Sequence, residues 1–289
     1  MKECRQTHPY TGRRASLATK HGKERQIARP LHAALNLDTY VPPTIDTDLL
    51  GTFTGEIPRR GSPAQVVLQK ARMGMEMTGL SLGLANEGSF GPHPAFPLVT
   101  ADTELLVFVD DERGIHVQES VVSEQVVAAQ AVTHSIADLA PFLAHALFPS
   151  HALIVRPNAL LQSDLLFKGI TDPVVLEEKV KLIAAISPDG LALVETDLRA
   201  HMNPTRRRVL RHLAVRLARR LAHLCPACRT PGWGLVSHLY GLPCEWCGEA
   251  TDLVCEDLFG CPACSYRQHH PRSDGLLHAS PTHCPSCNP

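Results

Sequence analysis

The sequence predicts an α/β fold, with a mixed-sheet N-terminal domain and a C-terminal double zinc-ribbon module. Three observations predict it. Apolar runs of strand and helix period alternate as far as residue 202, a leucine-rich basic helix pattern starts near Pro204, and nine of ten cysteines fall between 225 and 289. The chain has 289 residues, 44% of them hydrophobic, enough to bury a sizeable core. Its 28 lysines and arginines balance 29 acids, which excludes a globally basic nucleic-acid binder. No uninterrupted apolar run reaches the roughly 18 residues of a membrane span, and the first residues lead into no signal-like segment. The expected location is the cytoplasm, with no membrane partner. Three parts follow: 10–202 as an α/β ligand-binding or catalytic domain, 203–224 as a basic amphipathic linker helix, and 225–289 as the double zinc ribbon.

Arg14 to Ala18 reads as a short strand that ends at Thr19-Lys20-His21-Gly22. A helix follows from Lys23 to Asn36, because Ile27, Leu31, Ala34 and Leu35 form one buried stripe. Residues 41–61, rich in Pro, Gly, Thr and acid, read as a long irregular loop. Ser62-Pro63 with Gln65 is a capping-box start for a helix to about Met77. Leu80 to Asn86 reads as a buried strand closed by a turn over Glu87 to His93, and Glu104–Val109 with Ile115–Glu119 reads as a hairpin. Helical patterns are expected near 123–134 and 138–147, strands near 153–155 and 165–167, a helix from Asp172-Pro173 to Ile186, and a last strand from Leu191 to about Leu198. From Pro204, Leu210, Leu213, Leu217, Leu221 and Leu224 recur at helical spacing, with Arg206, Arg207, Arg208, Arg211, Arg216, Arg219 and Arg220 between them. Such a run meets phosphates or, more commonly, forms a solvated or internally paired face. Residues 225–289 hold three arginines against six acids, so the basic helix is expected to dock against its own tail.

Eight cysteines form four two-residue-gap pairs: Cys225/Cys228, Cys244/Cys247, Cys261/Cys264 and Cys284/Cys287. Each gap lets two sulfurs point into one tetrahedron, so the array provides two closed four-thiolate sites for structural zinc. Read in sequence order, the first and second pairs make one site and the third and fourth the other. Metal binding is then largely folding free energy, and a closed site leaves no position for catalysis. Cys4 and Cys255 are left over as incidental thiols.

With these residues in view, the chain resembles a bacterial domain-of-unknown-function family typed by Asp46-Thr-Asp48, Gly51-Thr-Phe-Thr-Gly-Glu56, Glu87-Gly-Ser-Phe-Gly-Pro-His-Pro94, Glu195-Thr-Asp197, Asn203-Pro-Thr-Arg206 and the terminal cysteine pairs. The N-terminal half is also similar to the inosine-triphosphate and Maf-type nucleotide pyrophosphatases, through Ala18-Thr19, Lys23-Glu24, Gly51-Thr52 with Glu56, Lys70-Ala71 and Glu87-Gly88. That second resemblance implies a site in which Lys23 and Lys70 bind phosphate oxygens while Glu56 and Glu87 hold a magnesium ion that activates water. Taken singly, Lys23 and Lys70 also read as solvent-facing helix charges, and Glu56 or Glu87 as loop caps.

In Glu195-Thr-Asp-Leu-Arg-Ala-His-Met-Asn203 every charge occupies an odd position, so an extended chain would place them all on one face. Asp197 is the candidate ligand or base and Arg199 a bidentate phosphate clamp. Lys168 and Arg156, after other strand patterns, are candidate donors at the same mouth, and His93 and His201 are candidate titrating groups. Three functions stay open: a metal-dependent hydrolase of nucleotides or related phosphates, a zinc-ribbon binding or scaffold protein for nucleic acid or a protein partner, and a non-catalytic small-molecule binding protein. Nucleic acid is the less favoured partner, since an aromatic content of 5% leaves little base-stacking surface.

Overall fold

A computed structural model describes residues 7–20, 22–47, 61–159 and 165–288. Strand β1 (Arg14–Ala18) leads into helix α1 (Glu24–Leu35), short strand β2 (Asp38–Tyr40) and helix α2 (Pro63–Thr78). The long strands β3 (Leu82–Pro92), β4 (Thr100–Asp110) and β5 (Ile115–Ser123) complete a five-stranded sheet of order β2-β1-β3-β4-β5. β1 is parallel to both β2 and β3, while β3, β4 and β5 run antiparallel, so the sheet is mixed. The Ser62 side chain accepts the Gln65 amide and the Gln65 side chain returns to the Ser62 amide, so the expected capping box starts α2.

The two faces of this sheet carry separate cores. Leu17, Leu84, Leu106 and Phe108 pack against Ile27 and Leu31 of α1 on one side. Ala18, Ala85, Val107 and Val109 pack against Val67, Ala71 and Met75 of α2 on the other. These are alternate residues of the same strands, as the two-residue strand period requires. Because α1 leads from β1 to β2 on one face and α2 leads back to β3 on the other, the carboxyl ends of β1 and β3 form a topological switch point.

The second half of the stretch up to 202 forms its own sheet, not an extension of the first. β6 (Gln130–Thr133), β7 (Leu153–Pro157), β8 (Phe167–Ile170) and β9 (Ala192–Thr196) pair antiparallel in the order β6-β9-β7-β8. Short helix α3 (Ala140–His145) and helix α4 (Pro173–Ile186) accompany it, and Leu176, Val180 and Ile183 of α4 cover its core.

The structure corrects three local expectations. The helix expected at 123–134 is instead the end of β5 and strand β6, because Gln130 to Thr133 pairs with Glu195 to Ala192. The turn expected at 87–93 is strand as far as Pro92, since all eleven residues of β3 find partners on β4. The extended face expected over 195–203 ends at Thr196 and gives way to a 3-10 turn at Ala200–Met202.

Helix α5 (Pro204–Ala222) is capped by Asn203, whose side chain accepts the Arg206 amide. Its buried Leu213, Ala214, Leu217, Ala218 and Leu221 join the α1 face of the first sheet. The expectation that it docks against the acidic tail is thereby corrected: the helix is part of the α/β core. Arg216 and Arg220 reach Glu119 of β5 at 2.9 Å each, and Arg206 is buried against Glu104 of β4. Apolar burial set the position of the helix and the arginines found acids on the face it covers. Among the described residues no helix is long and apolar enough to cross a membrane.

Strands β10 (Gly234–Tyr240), β11 (Val254–Gly260) and β12 (Arg267–Pro271) form a third, antiparallel sheet in the C-terminal part.

Candidate functional site

The register of β1 on β3 ends at Ala18–Ala85, so Asn86 and Glu87 are the first β3 residues past it, at the switch point. Asn86 faces the α1 side, and its Oδ1 accepts a hydrogen bond from the Lys23 ammonium at 2.9 Å. Its Nδ2 donates to Glu104 Oε2 at 2.8 Å and to the Leu105 carbonyl at 2.7 Å. Glu104 is fully buried, and its other oxygen accepts from Arg206 Nε at 2.6 Å. Arg206 continues to the Leu198 carbonyl at 2.8 Å and lies over the Phe90 ring, 5.6 Å from its centroid. On the opposite face Lys70 of α2 donates to Glu87 Oε2 at 2.5 Å, and both are buried. Gly88 lies under the Arg206–Glu104 pair, and a Cβ there would collide with the Arg206 guanidinium and the Glu104 carboxylate.

Asp102 precedes Glu104 by two residues on β4, on the same face, and is equally buried. Neither of its carboxylate oxygens meets a hydrogen-bond donor among the described residues. Burial, and next the charge of Glu104, push its pKa up to about 7 against the pull of Arg206 and Lys23. Two carboxylates side by side are both acceptors, so a contact between them becomes a hydrogen bond only with a proton on one. Burial, and next the charge of Arg206, bring the Lys23 ammonium down to about 8. Lys23, Arg206, Glu104 and Asp102 thus gather on the α1 face of the switch point, with the Lys70–Glu87 pair on the other face, and the shifts of Asp102 and Lys23 toward neutrality are of the kind that functional sites show more often than structural ones.

A stability consequence follows for Asp102. Its folded-state pKa lies above the ordinary 3.8, so its contribution is fully present below that value and is lost as pH rises to about 7. The Asp102→Asn variant escapes this loss. Urea melts are expected to show its stability rising relative to wild type from about pH 5 to about pH 8, and a pH-independent difference would contradict the shift.

The C-terminal cysteines form two groups, Cys225, Cys228, Cys261 and Cys264 in one and Cys244, Cys247, Cys284 and Cys287 in the other. The pairing read in sequence order is therefore corrected: first joins third, and second joins fourth. One strand, β10, separates the first two pairs, and seven extended residues carry the chain roughly 20 Å away from its start. The one antiparallel strand β11 brings it back to Cys261, as Gly234 pairs with Gly260 at one end of the sheet and Tyr240 with Val254 at the other. The two groups therefore cap opposite ends. Sulfur separations of 3.8 Å (Cys225–Cys264), 3.5 Å (Cys228–Cys261), 3.9 Å (Cys244–Cys287) and 3.6 Å (Cys247–Cys284) match the tetrahedral edge of about 3.8 Å that metal–sulfur bonds near 2.3 Å give. Burial pushes the Cys261 thiol up, and the amides of Ala263 and Cys264, which its Sγ accepts at 3.3 and 3.4 Å, pull in the opposite direction. Both groups fit a metal ion.

Of the other sequence candidates, some lie on the first sheet and some on or after the second, and His201 comes against Gly22, where an added Cβ would lie 3.6 Å from its own Cβ. Lys23, Lys70 and Glu87 come together as described, and Glu56 lies outside the described residues. Asp197 is fully buried in the turn after β9 of the second sheet, beside Leu198, whose carbonyl accepts from Arg206, and Arg199 holds it with two parallel bonds, Nε to Oδ1 at 2.9 Å and Nη2 to Oδ2 at 2.5 Å. Lys168 lies on β8 beside Gly169, where an added Cβ would come 3.6 Å from Arg199 Nη2. His93 accepts the Ala95 and Phe96 amides and orders the tip of the β3–β4 hairpin, and the His201 backbone carbonyl accepts from Arg207. Asp102, Glu104 and the buried role of Arg206 were missed. A signal existed for the first two: on one face of β4, Asp102 and Glu104 precede apolar Leu106 and Phe108.

A family model described as Domain of unknown function (DUF6671) matches residues 70–289, which takes in Lys70, Glu87, Asp102, Glu104, Arg206 and all eight paired cysteines. No curated protein matches the chain.

Proposed function

Since the chain belongs to the DUF6671 family, which assigns it no activity, we propose from its own geometry that the α/β lobe is a hydrolase site for a nucleotide or related phosphate-bearing small molecule. The observation that carries this reading is the meeting of Lys23, Lys70 and Arg206 with Asn86, Glu87, Glu104 and Asp102 at the switch point of the first sheet, the usual place for ligands in open α/β sheets. Ammonium groups at this edge neutralise phosphate charge, and an enclosed setting strengthens that effect. Magnesium enters with the substrate's phosphates, because Lys70 already engages Glu87 and Arg199 engages Asp197. The two tetrathiolate groups hold structural zinc, whose closed coordination gives it no part in the reaction.

The test is a panel of nucleoside mono-, di- and triphosphates with metal-loaded full-length protein, with and without magnesium, scored for released phosphate or pyrophosphate. Lys23→Met is the informative variant, because Lys23 bonds to a neutral amide and its loss strands no buried carboxylate. We expect turnover to fall about 10²–10³-fold with the fold intact. Absence of both turnover and nucleotide binding in folded wild-type protein would remove the proposal.

A further inference from the structure

We infer that the outer face of helices α1 and α5 binds duplex DNA along its phosphate backbone, an inference that stands apart from the hydrolase reading. The arginines of α5 divide by helix face. Arg206 goes inward to Glu104, and Arg216 and Arg220 reach sideways to Glu119. Arg208, Arg211 and Arg219, with His212, project from the side opposite buried Leu210, Leu213 and Leu217, and all four are exposed. On α1 the side opposite buried Ile27 and Leu31 carries exposed Arg25 and Arg29. None of these five arginines pairs with a carboxylate among the described residues, and the Thr205 hydroxyl that accepts from Arg208 at 3.2 Å is neutral. Helix α5 contains no acid, and α1 contains only Glu24, in its first turn.

Ile27, Leu31 and Leu35 of α1 share one core with Ala214, Leu217 and Ala218 of α5, and the two helices pack against each other on one face of the first sheet. Their exposed sides therefore point away from the sheet together. Two rows of guanidinium groups cover one side of a chain whose total charge is -1. Like charges gathered without acids repel one another, and a polyanion relieves that repulsion. Packed helices have axes about 8–10 Å apart, which brings the rows within reach of phosphates on both sides of the roughly 12 Å major groove of B-form DNA. The exposed helix faces offer no Ser, Thr or Gln to engage the 2′-hydroxyls that distinguish RNA. Neither helix exposes a large apolar side chain, and neither contains Phe, Tyr or Trp. That leaves no platform for stacking single-stranded bases, no aromatic anchor for a protein partner and no apolar wedge for a membrane surface. A duplex backbone requires none of these.

The test uses full-length, metal-loaded protein and a fluorescent DNA duplex of mixed sequence, with affinity read by anisotropy over a range of salt. Five phosphate contacts give a slope of log affinity on log salt of about −4.5, so affinity is expected to fall about 500-fold between about 50 and about 200 mM salt. Combining Arg208→Gln, Arg211→Gln and Arg219→Gln, which keeps helix propensity, is expected to flatten the slope to about −2, with circular dichroism and zinc content unchanged. Arg211→Gln alone is expected to reduce its steepness by about 1. Arg72→Gln, on α2 across the sheet and paired with Asp111, is the control and is expected to bind like wild type. Absence of duplex binding at low salt, or equal losses in Arg211→Gln and Arg72→Gln, overturns the inference. So does tighter binding to an RNA duplex, to a single DNA strand or to phosphatidylserine vesicles.

Discussion

Replacing Cys261 by Ser is expected to release both metal ions, not one. Each group draws one cysteine pair from each half of the tail, and the two groups cap opposite ends of the same three-stranded sheet. That sheet has little else to hold it: none of the three main apolar clusters draws on residues 225–288, and Cys225, Cys244, Cys261 and Cys284 are themselves among the few fully buried side chains there. A structural zinc contributes about 10–16 kcal/mol of folding free energy at neutral pH, far more than the remaining contacts supply. Losing one site therefore frees an end of the sheet, lets β10, β11 and β12 separate, and dismantles the second site. Metal analysis is expected to find two zinc ions per wild-type chain and fewer than one in Cys261→Ser, with the helical signal of the α/β core retained. A variant holding one ion would show that the two ends fold independently.

Arg206→Ala is expected to cost about 3–5 kcal/mol, the usual penalty for stranding one member of a buried ion pair. Arg206 is 2% exposed and Glu104 is fully buried, so no water replaces the lost donor at Oε1. The Leu198 carbonyl loses its donor as well, and with it goes a link between the first sheet and the segment leading out of the second. Thermal melts are expected to show a fall of roughly 10 °C. The double variant Arg206→Met with Glu104→Leu is expected to recover much of that loss, since well-packed apolar replacements remove the desolvation cost of both charges. A single variant as stable as wild type would place Glu104 in contact with water.

Local chemistry made some of this architecture legible. The Ser62–Gln65 capping box, the β1 strand and the α1 stripe depend on neighbours a few residues away, and the structure reproduces them. Strand β6 was not legible, because Val126 to Val132 carries helix-compatible alanines and valines and only the partner β9 decides its conformation. The cysteine spacing revealed two tetrahedra but not their membership, which depends on how many strands lie between pairs. The convergence of Lys23, Lys70 and Glu87 followed a motif order, whereas the part played by Arg206 was hidden in a run of arginines that differ only in the helix face they occupy. Asp102 lay within reach of the alternation along β4, but the absence of a donor for it is a property of the assembled sheet.

The interleaved order of the thiolate pairs also sets the timing of maturation. On the ribosome, the nascent tail cannot finish its first coordination shell until Cys264 has emerged, and closing that shell holds the paired ends of β10 and β11 together. The second shell waits for Cys287, so it closes after the first, and a translation product cut anywhere between Cys264 and Cys284 would leave Cys244 and Cys247 as thiols open to oxidation.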